Sequence, residues 1–423
     1  MSAPTDRRTV VTGMGVVSPL GDTPARIGAA LGAGQSGVAP VELFATDGLR
    51  CHEAGEVRSF SARTYLGDGN LRPLDRTAQL AASAAQLALR SSGWTAERLA
   101  EDEVGLALGT MFGSVHTISE FDRRALTAGP LYAQPMAFAN SVINAAAGQT
   151  AIWHGLRGVN STVSGGTASG LQALIYAADL IRDGRARTIL AGGADELCFE
   201  SYYGFYRTGR MAGASNGHGP MAVPFDARRN GFALGEGAAL LVLEEAGAAR
   251  ARGAEVLAEV AGRGMSYDVS RGADPARSVR AVARAIRAAL DSAGLEPGRI
   301  DAASTSANGS VAGDRAEILG IAEVFGGELP GAGLPVTAVK SMLGEALGAS
   351  GALQAVALLQ SMASGVLPGV LGLERVDDGV PPGLASRDNR ELEIRRGLVT
   401  AVGLDGTCCA LILDGLGTSE AAR

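Results

Sequence analysis

The stretch Ser164-Gly165-Gly166-Thr167-Ala168-Ser169-Gly170 has the make-up of a reactive turn. It lies between a strand signal, Ser161-Thr162-Val163, and an apolar helical run from Leu171 to Arg182. A side chain at such a junction sits near a helix N-terminus, where the dipole favours a thiolate or an oxyanion. The residue there is Thr167, a poor nucleophile unless a base activates it. Bases are scarce, because the only histidines are His52, His116, His154 and His218, and none falls in this turn. His154, beside Trp153, reads as a hydrogen-bonded core residue. The cysteines, Cys51, Cys198, Cys408 and Cys409, are too scattered for a disulfide framework or a zinc site. Cys408 and Cys409 stand in an apolar terminal run and read as small buried side chains. Gly13-Met14-Gly15 invites a dinucleotide-binding reading, but the third glycine is missing and Pro19 stands where the helix should continue. A tight turn is the plainer reading. No P-loop occurs.

The elements that must position these groups alternate along the chain. Thr9-Val10-Val11-Thr12 is the first strand signal, and Thr77 to Leu89 is a helix with alanine on every face, expected to be buried between layers. Val104 to Leu108 is a short buried strand ending at Gly109, and Ser114 to Leu126 a helix. Thr188 to Ala191 is a strand leading into a Gly192-Gly193 turn, and Ala238 to Glu244 a strand that closes the first half. A second set begins near Glu255. It contains an amphipathic helix over Val279 to Ala293, a strand over Val336 to Lys340 and a helix over Ala352 to Ala363. Two further strands flank Gly403 to Gly406 within Gly397 to Leu413. Such alternation implies an α/β layered fold. The segment from Glu245 to Ala254, a helix with a turn, is the expected junction of two halves, 1–250 and 251–423.

Composition narrows the function classes. The 423 residues are 46% hydrophobic and 19% charged, which excludes a disordered chain. Sixty glycines without a Gly-X-Y period exclude collagen. A net charge of −7 without a basic block argues against a nucleic-acid partner. No run approaches the roughly 18 apolar residues of a membrane span, and Met1 to Arg8 leads into no signal-peptide core. A reducing, cytoplasmic setting and no membrane association are expected.

Further motifs carry a family resemblance. Val10-Thr12-Gly13-Gly15-Val17-Ser18-Pro19 stands at the front, and Val223-Pro224-Phe225-Asp226, Arg229, Gly231-Phe232 and Gly235-Glu236-Gly237-Ala238 follow. Ser306-Ala307-Asn308-Gly309-Ser310 precedes Asp314 and Glu317, and Val339-Lys340-Ser341-Met342-Leu343-Gly344-Glu345 precedes Gly348-Ala349-Ser350-Gly351-Ala352. With Gly403-Leu404-Asp405-Gly406-Thr407 at the back, this ordered set resembles the β-ketoacyl-carrier-protein synthases over nearly the whole chain. The resemblance implies a thiolase-type fold of two similar α/β halves packed as α-β-α-β-α layers.

Ketosynthases hold the acyl chain on Cys and drive decarboxylation and condensation with two His. By that resemblance Thr167 replaces the Cys, Asn308 the first His and Glu345 the second. Asn does not titrate and so takes no proton near neutral pH, and an unpaired Glu345 carboxylate would repel the enolate. The three changes together remove the condensing chemistry. Lys340, Asp314 and Glu317 remain, and the resemblance makes them a buried charged network retained for the fold.

A ketosynthase-like chain without its triad is similar to the chain-length factor, or ketosynthase-β subunit, of type II polyketide synthases. That implies an active ketosynthase partner in a heterodimer, paired across Val159 to Ser164 and the small-residue segment Ala139 to Trp153. It also implies an acyl carrier protein that delivers the phosphopantetheine arm, with no cofactor or metal bound by this chain. Aromatic-type members carry Gln at the nucleophile position, so Thr167 favours a polyene-type synthase. Ser114, Thr117 and Phe121 share a helix face at i, i+3 and i+7. The resemblance makes them, with Ala139, the lining of an acyl tunnel, although an apolar helical stripe equally serves a core. Two other readings stay open: an acyltransferase or malonyl-carrier-protein decarboxylase using Thr167, and a scaffold that binds carrier protein alone.

Overall fold

The computed structural model describes residues 7–215, 219–326 and 333–415. His218 and residues 1–6 lie outside them.

The first half supplies strands β1 (Thr9–Val17), β2 (Val104–Gly109), β3 (Asn160–Val163), β4 (Thr188–Asp195) and β5 (Gly237–Glu245). The second supplies β6 (Ala258–Tyr267), β7 (Ala302–Ser304), β8 (Val336–Thr337), β9 (Arg396–Val402) and β10 (Thr407–Asp414). They join in a sheet of order β8-β7-β9-β10-β6-β1-β5-β4-β2-β3. Read outward from the centre, each half runs first, fifth, fourth, second, third strand. The parallel and antiparallel pairings repeat as well. Within the sheet the halves join through Val10 and Val11 of β1, which face Glu259 and Ala258 of β6.

Helices complete five layers. The helices named below are α1 (Arg76–Ser91), α2 (Val115–Ala128), α3 (Ala145–His154), α4 (Ser169–Arg182), α5 (Pro275–Ala293), α6 (Val311–Phe325) and α7 (Ser350–Ser364). α4 and α7 form the central layer, touching strands of both halves and each other. α1 with α3 covers one outer face, and α5 with α6 the other. The central helices are predominantly apolar and bury most of their side chains, with Leu171, Leu174, Val356 and Leu358 no more than 1% exposed, as suits helices between two sheet faces. Among the described residues, no helix is long and apolar enough to cross a membrane.

Three local expectations are corrected. Gly13-Met14-Gly15 is not a turn but the middle of β1, at a bulge between Val11 and Gly13. A Cβ on Gly15 would lie 2.0 Å from the Ala84 carbonyl of α1, so glycine here lets a helix press onto a strand. Gly192-Gly193 likewise lies within β4, where a Cβ on Gly193 would stand 2.1 Å from the Gly348 carbonyl. The strand expected over Val336 to Lys340 stops at Thr337, and Lys340 opens the short helix Lys340–Leu343. Periodicity does not separate a close-packed glycine pair from a turn, because both signals are the same residues.

Candidate functional site

β3 ends at Val163, one tight turn spans Gly166–Ala168, and α4 starts at Ser169. Gly166 holds φ +61°, a left-handed conformation that suits glycine. Ser169 Oγ accepts from Gly165 N at 2.9 Å and donates to the Gly166 carbonyl at 2.6 Å, fixing the turn. Thr167 is carried on it, 5% exposed. This turn packs against the turn Leu347–Ala349, which Asp195 anchors by accepting from Gly348 N at 2.7 Å. Thr167 and Glu345 are thus carried by neighbouring loops, one from each half.

Glu345 is 1% exposed and fully engaged. Its Oε2 accepts from Lys340 Nζ at 2.8 Å and from Asn308 Nδ2 at 2.7 Å, and its Oε1 accepts from Ser350 Oγ at 2.6 Å. The unpaired charge expected at this position does not exist, because Lys340, the chain's only lysine, neutralises it. Asn308 holds a second role, accepting from Ser310 N at 3.0 Å through Oδ1. The Asn308 and Glu345 side chains are therefore spent partly on each other.

The remaining charges form two separate clusters rather than one. Asp314 accepts from the backbone N–H groups of Asn308 and Gly309 at 2.9 and 3.1 Å and faces Arg229 at 3.5 Å, holding the Asn308 loop to α6. Burial pushes its carboxyl up to about 6, against the pull of those donors and of Arg229. Glu317 accepts from Ser306 N, Ser306 Oγ and Thr400 Oγ1 at 2.8, 2.9 and 2.6 Å. Burial raises it to about 7, with those donors and the nearby Lys340 opposing.

No hydrogen bond joins Thr167 to any acid or imidazole among the described residues. The described histidines are occupied elsewhere: His52 with Thr46, His116 with Glu200, and His154 with the Ala82 carbonyl at 2.9 Å. Burial lowers the His154 pKa, which keeps that ring neutral. All four cysteines are buried, and burial pushes Cys198 and Cys408 up to about 12. No group of residues that could hold a metal ion occurs among the described residues. A cavity of about 620 Å³ opens beside the site, lined by Asn308, Ser306, Glu317, Val402, Leu404 and Arg271 among others. Sequence reasoning did not single out Arg271, Arg210 or Leu404 as cavity residues, since they come from segments far apart in the chain.

Ser114, Thr117, Phe121 and Ala139 line none of this cavity. Ser114 precedes α2 and is 1% exposed, Thr117 and Phe121 are half-buried, and Ala139 is exposed. The Phe121 ring stands 6.1 Å from that of Phe138. The small residues Ala145, Ala146 and Ala147 turn inward, and the last two join the chain's own core, so they do not form the expected outer packing face. The exposed apolar side chains of this region are instead Leu126, Leu131, Tyr132, Met136, Phe138, Val142, Ile143 and Ile152.

A doubled five-layer α/β body, with Thr167, Asn308 and Glu345 on its mid-plane loops, defines the class: a ketosynthase-type fold. Residues 6–249 match the β-ketoacyl synthase N-terminal domain and residues 257–374 its C-terminal domain. The chain belongs to the β-ketoacyl synthase family. It is 34% identical to 3-oxoacyl-(acyl-carrier-protein) synthase 2 of Vibrio cholerae over 84% of this chain and 86% of that one. It is 35% identical to the tetracenomycin polyketide synthase ketoacyl synthase beta subunit of Streptomyces glaucescens over 98% and 99% of the two chains. Among solved structures, the ishigamide ketosynthase/chain length factor superposes with a TM-score of 0.89 at 32% identity, over 98% of this chain and 100% of the other.

Proposed function

We propose that this chain is a non-condensing subunit that pairs with an active ketosynthase and helps set the length of a polyketide chain. The observation that carries the reading is the closed set Asn308, Glu345, Lys340 and Ser350, which leaves Thr167 without a base. A nucleophile needs a base in hydrogen-bond reach, and a condensing centre needs a group that can move a proton near neutral pH. Thr167 and the Asn308–Glu345 pair, as they are hydrogen-bonded here, supply neither. The acyltransferase and decarboxylase readings lose their base at the same point.

Two features support an obligate partner. Leu131 is 97% exposed, Leu126 85% and Phe138 66%, an apolar cluster larger than isolated surface residues explain. β3 closes one end of the sheet, so its outer edge is open for pairing among the described residues. The beta-subunit and chain-length-factor relatives support the same reading. The acyl carrier protein would bring the phosphopantetheine arm to the complex, and Thr167 favours a polyene-type product. The test is co-expression with a synthase that keeps Cys, His and His. Thr167→Ala should leave the activity of the complex intact, and loss of that activity would favour a threonine acyltransferase.

A further inference from the structure

The outer face of α5 carries only cations over three turns. From Arg277 to Ala289 the exposed side chains are Arg277, Arg280, Arg284 and Arg287, and every other position is buried or half-buried. Their spacing of i, i+3, i+7 and i+10 keeps the four on one stripe, within an arc of about 80° and roughly 15 Å long. The inward face is apolar, with Ala281, Val282, Ala285, Ile286 and Ala289 buried. Packing explains those positions and leaves the arginines without a role. In a chain of net charge −7, this concentration runs against the overall sign.

The neighbouring acids answer this stripe only in part. Arg277 meets Asp274 at 3.1 Å and Arg287 meets Glu323 of α6 at 3.0 Å, exposed pairs of a kind that holds weakly in water. Arg284 donates to the Tyr267 carbonyl at 3.4 Å. Arg280 has no hydrogen bond or ion pair among the described residues. Asp268 borders the same face but is 4% exposed and accepts from Ser270, Gly272 and Ser278. Its carboxylate is spent inside the chain.

A groove of about 310 Å³ runs beside the stripe, lined by the four arginines with Tyr267 and Val269. Those two are 43% and 69% exposed, so apolar contact area lies among the charges. α5 and α6 cover the outer face of the second half, whereas β3 and the exposed apolar cluster belong to the first. The stripe is therefore no part of the face proposed for the synthase. At its N-terminal end it reaches the cavity beside Asn308, which Pro275 and Ser278 also line.

Resting on the reading above that a carrier protein visits the complex, we propose that this groove seats an acidic helix of that carrier protein. Its carboxylates meet Arg280 and Arg284, and an apolar side chain packs against Tyr267 and Val269. A helix suits the stripe because acids spaced one turn apart match cations spaced one turn apart. A continuous phosphate chain suits it less, since Asp274 and Glu323 stand at the two ends and would repel it. Complementary charge of this kind steers the encounter and fixes the register.

The test is the affinity of the intact heterodimer for carrier protein bearing its phosphopantetheine arm, read by fluorescence anisotropy at low salt. Arg280→Glu/Arg284→Glu should weaken binding about ten-fold or more, and added salt should erase most of the difference. Both side chains are exposed, so the thermal midpoint and the heterodimer should be unchanged. Arg90→Glu/Arg98→Glu makes the same change of net charge on exposed positions of the first half and should leave the affinity within about two-fold. Reversing glutamates of the carrier helix to arginine should restore binding to the Arg280→Glu/Arg284→Glu complex. Unchanged affinity in that complex, or equal losses from both double variants, overturns the inference and leaves the carrier-protein reading intact. A carrier protein without measurable affinity for the unaltered heterodimer overturns that reading, and this inference with it.

Discussion

Replacing Lys340 by Met tests whether Glu345 belongs to a closed ion pair. The 2.8 Å contact between Lys340 Nζ and Glu345 Oε2 is buried, with both side chains no more than 4% exposed. At an effective dielectric of about 20, two unit charges that close attract by about 6 kcal/mol before desolvation is subtracted. Breaking such a pair by removing one partner costs roughly 3–5 kcal/mol, a large part of a typical total stability of about 5–15 kcal/mol. The environment makes the two halves of the pair unequal. Without Lys340, Glu345 and Glu317 are both left without their cation, whereas without the Glu345 charge Lys340 still faces Glu317. Lys340→Met should therefore lose about 3 kcal/mol or more in urea unfolding, and Glu345→Gln clearly less. The apolar double variant Lys340→Met/Glu345→Leu should recover much of the loss. Equal losses in both single variants, or a Lys340→Met loss below about 1 kcal/mol, would refute the account of the pair.

The raised Glu317 carboxyl makes stability fall as pH rises. It stands at about 7 in the folded chain against an ordinary 4.5, so its contribution is fully favourable below 4.5 and is lost through 7. Glu317→Gln should flatten the stability profile by about 2 kcal/mol between about pH 5.5 and 8; an unchanged slope assigns the dependence elsewhere. Gly193→Ala forces a methyl to within 2.1 Å of the Gly348 carbonyl, beside the loop of Glu345. It should cost about 3 kcal/mol or more by thermal unfolding, and a neutral result would mean that the β4 backbone yields there. Ser114→Phe in the reconstituted heterodimer should shorten the products and Phe121→Ala lengthen them, read by mass spectrometry. Unchanged lengths with the complex intact would remove α2 from the tunnel.

Much of the fold was legible because long periodic segments report their own burial. α1, α4, α5 and α7 all extend the helices read from the sequence by only a few residues. The strand glycines misled for a physical reason. Gly15 and Gly193 look like breaks locally, but they are there because a helix or a loop from far along the chain needs their missing Cβ. The same distance effect hid the chemistry of the site. Asn308 and Glu345 are 37 residues apart, so their mutual hydrogen bond has no signature in either motif. Resemblance placed each position singly, and only the folded chain shows that Lys340 cancels the charge of Glu345. The inward turn of Ala145 to Ala147 was equally invisible, since a small-residue run suits an interface and a core alike.

The most direct test of the central claim is chemical. The chain alone is incubated with acyl- and malonyl-loaded carrier protein, and β-ketoacyl product is sought by mass spectrometry beside a Thr167→Ala control. With Thr167 lacking a base and Glu345 held by Lys340, Asn308 and Ser350, no product above the control is predicted. Sustained turnover that Thr167→Ala abolishes would contradict the account.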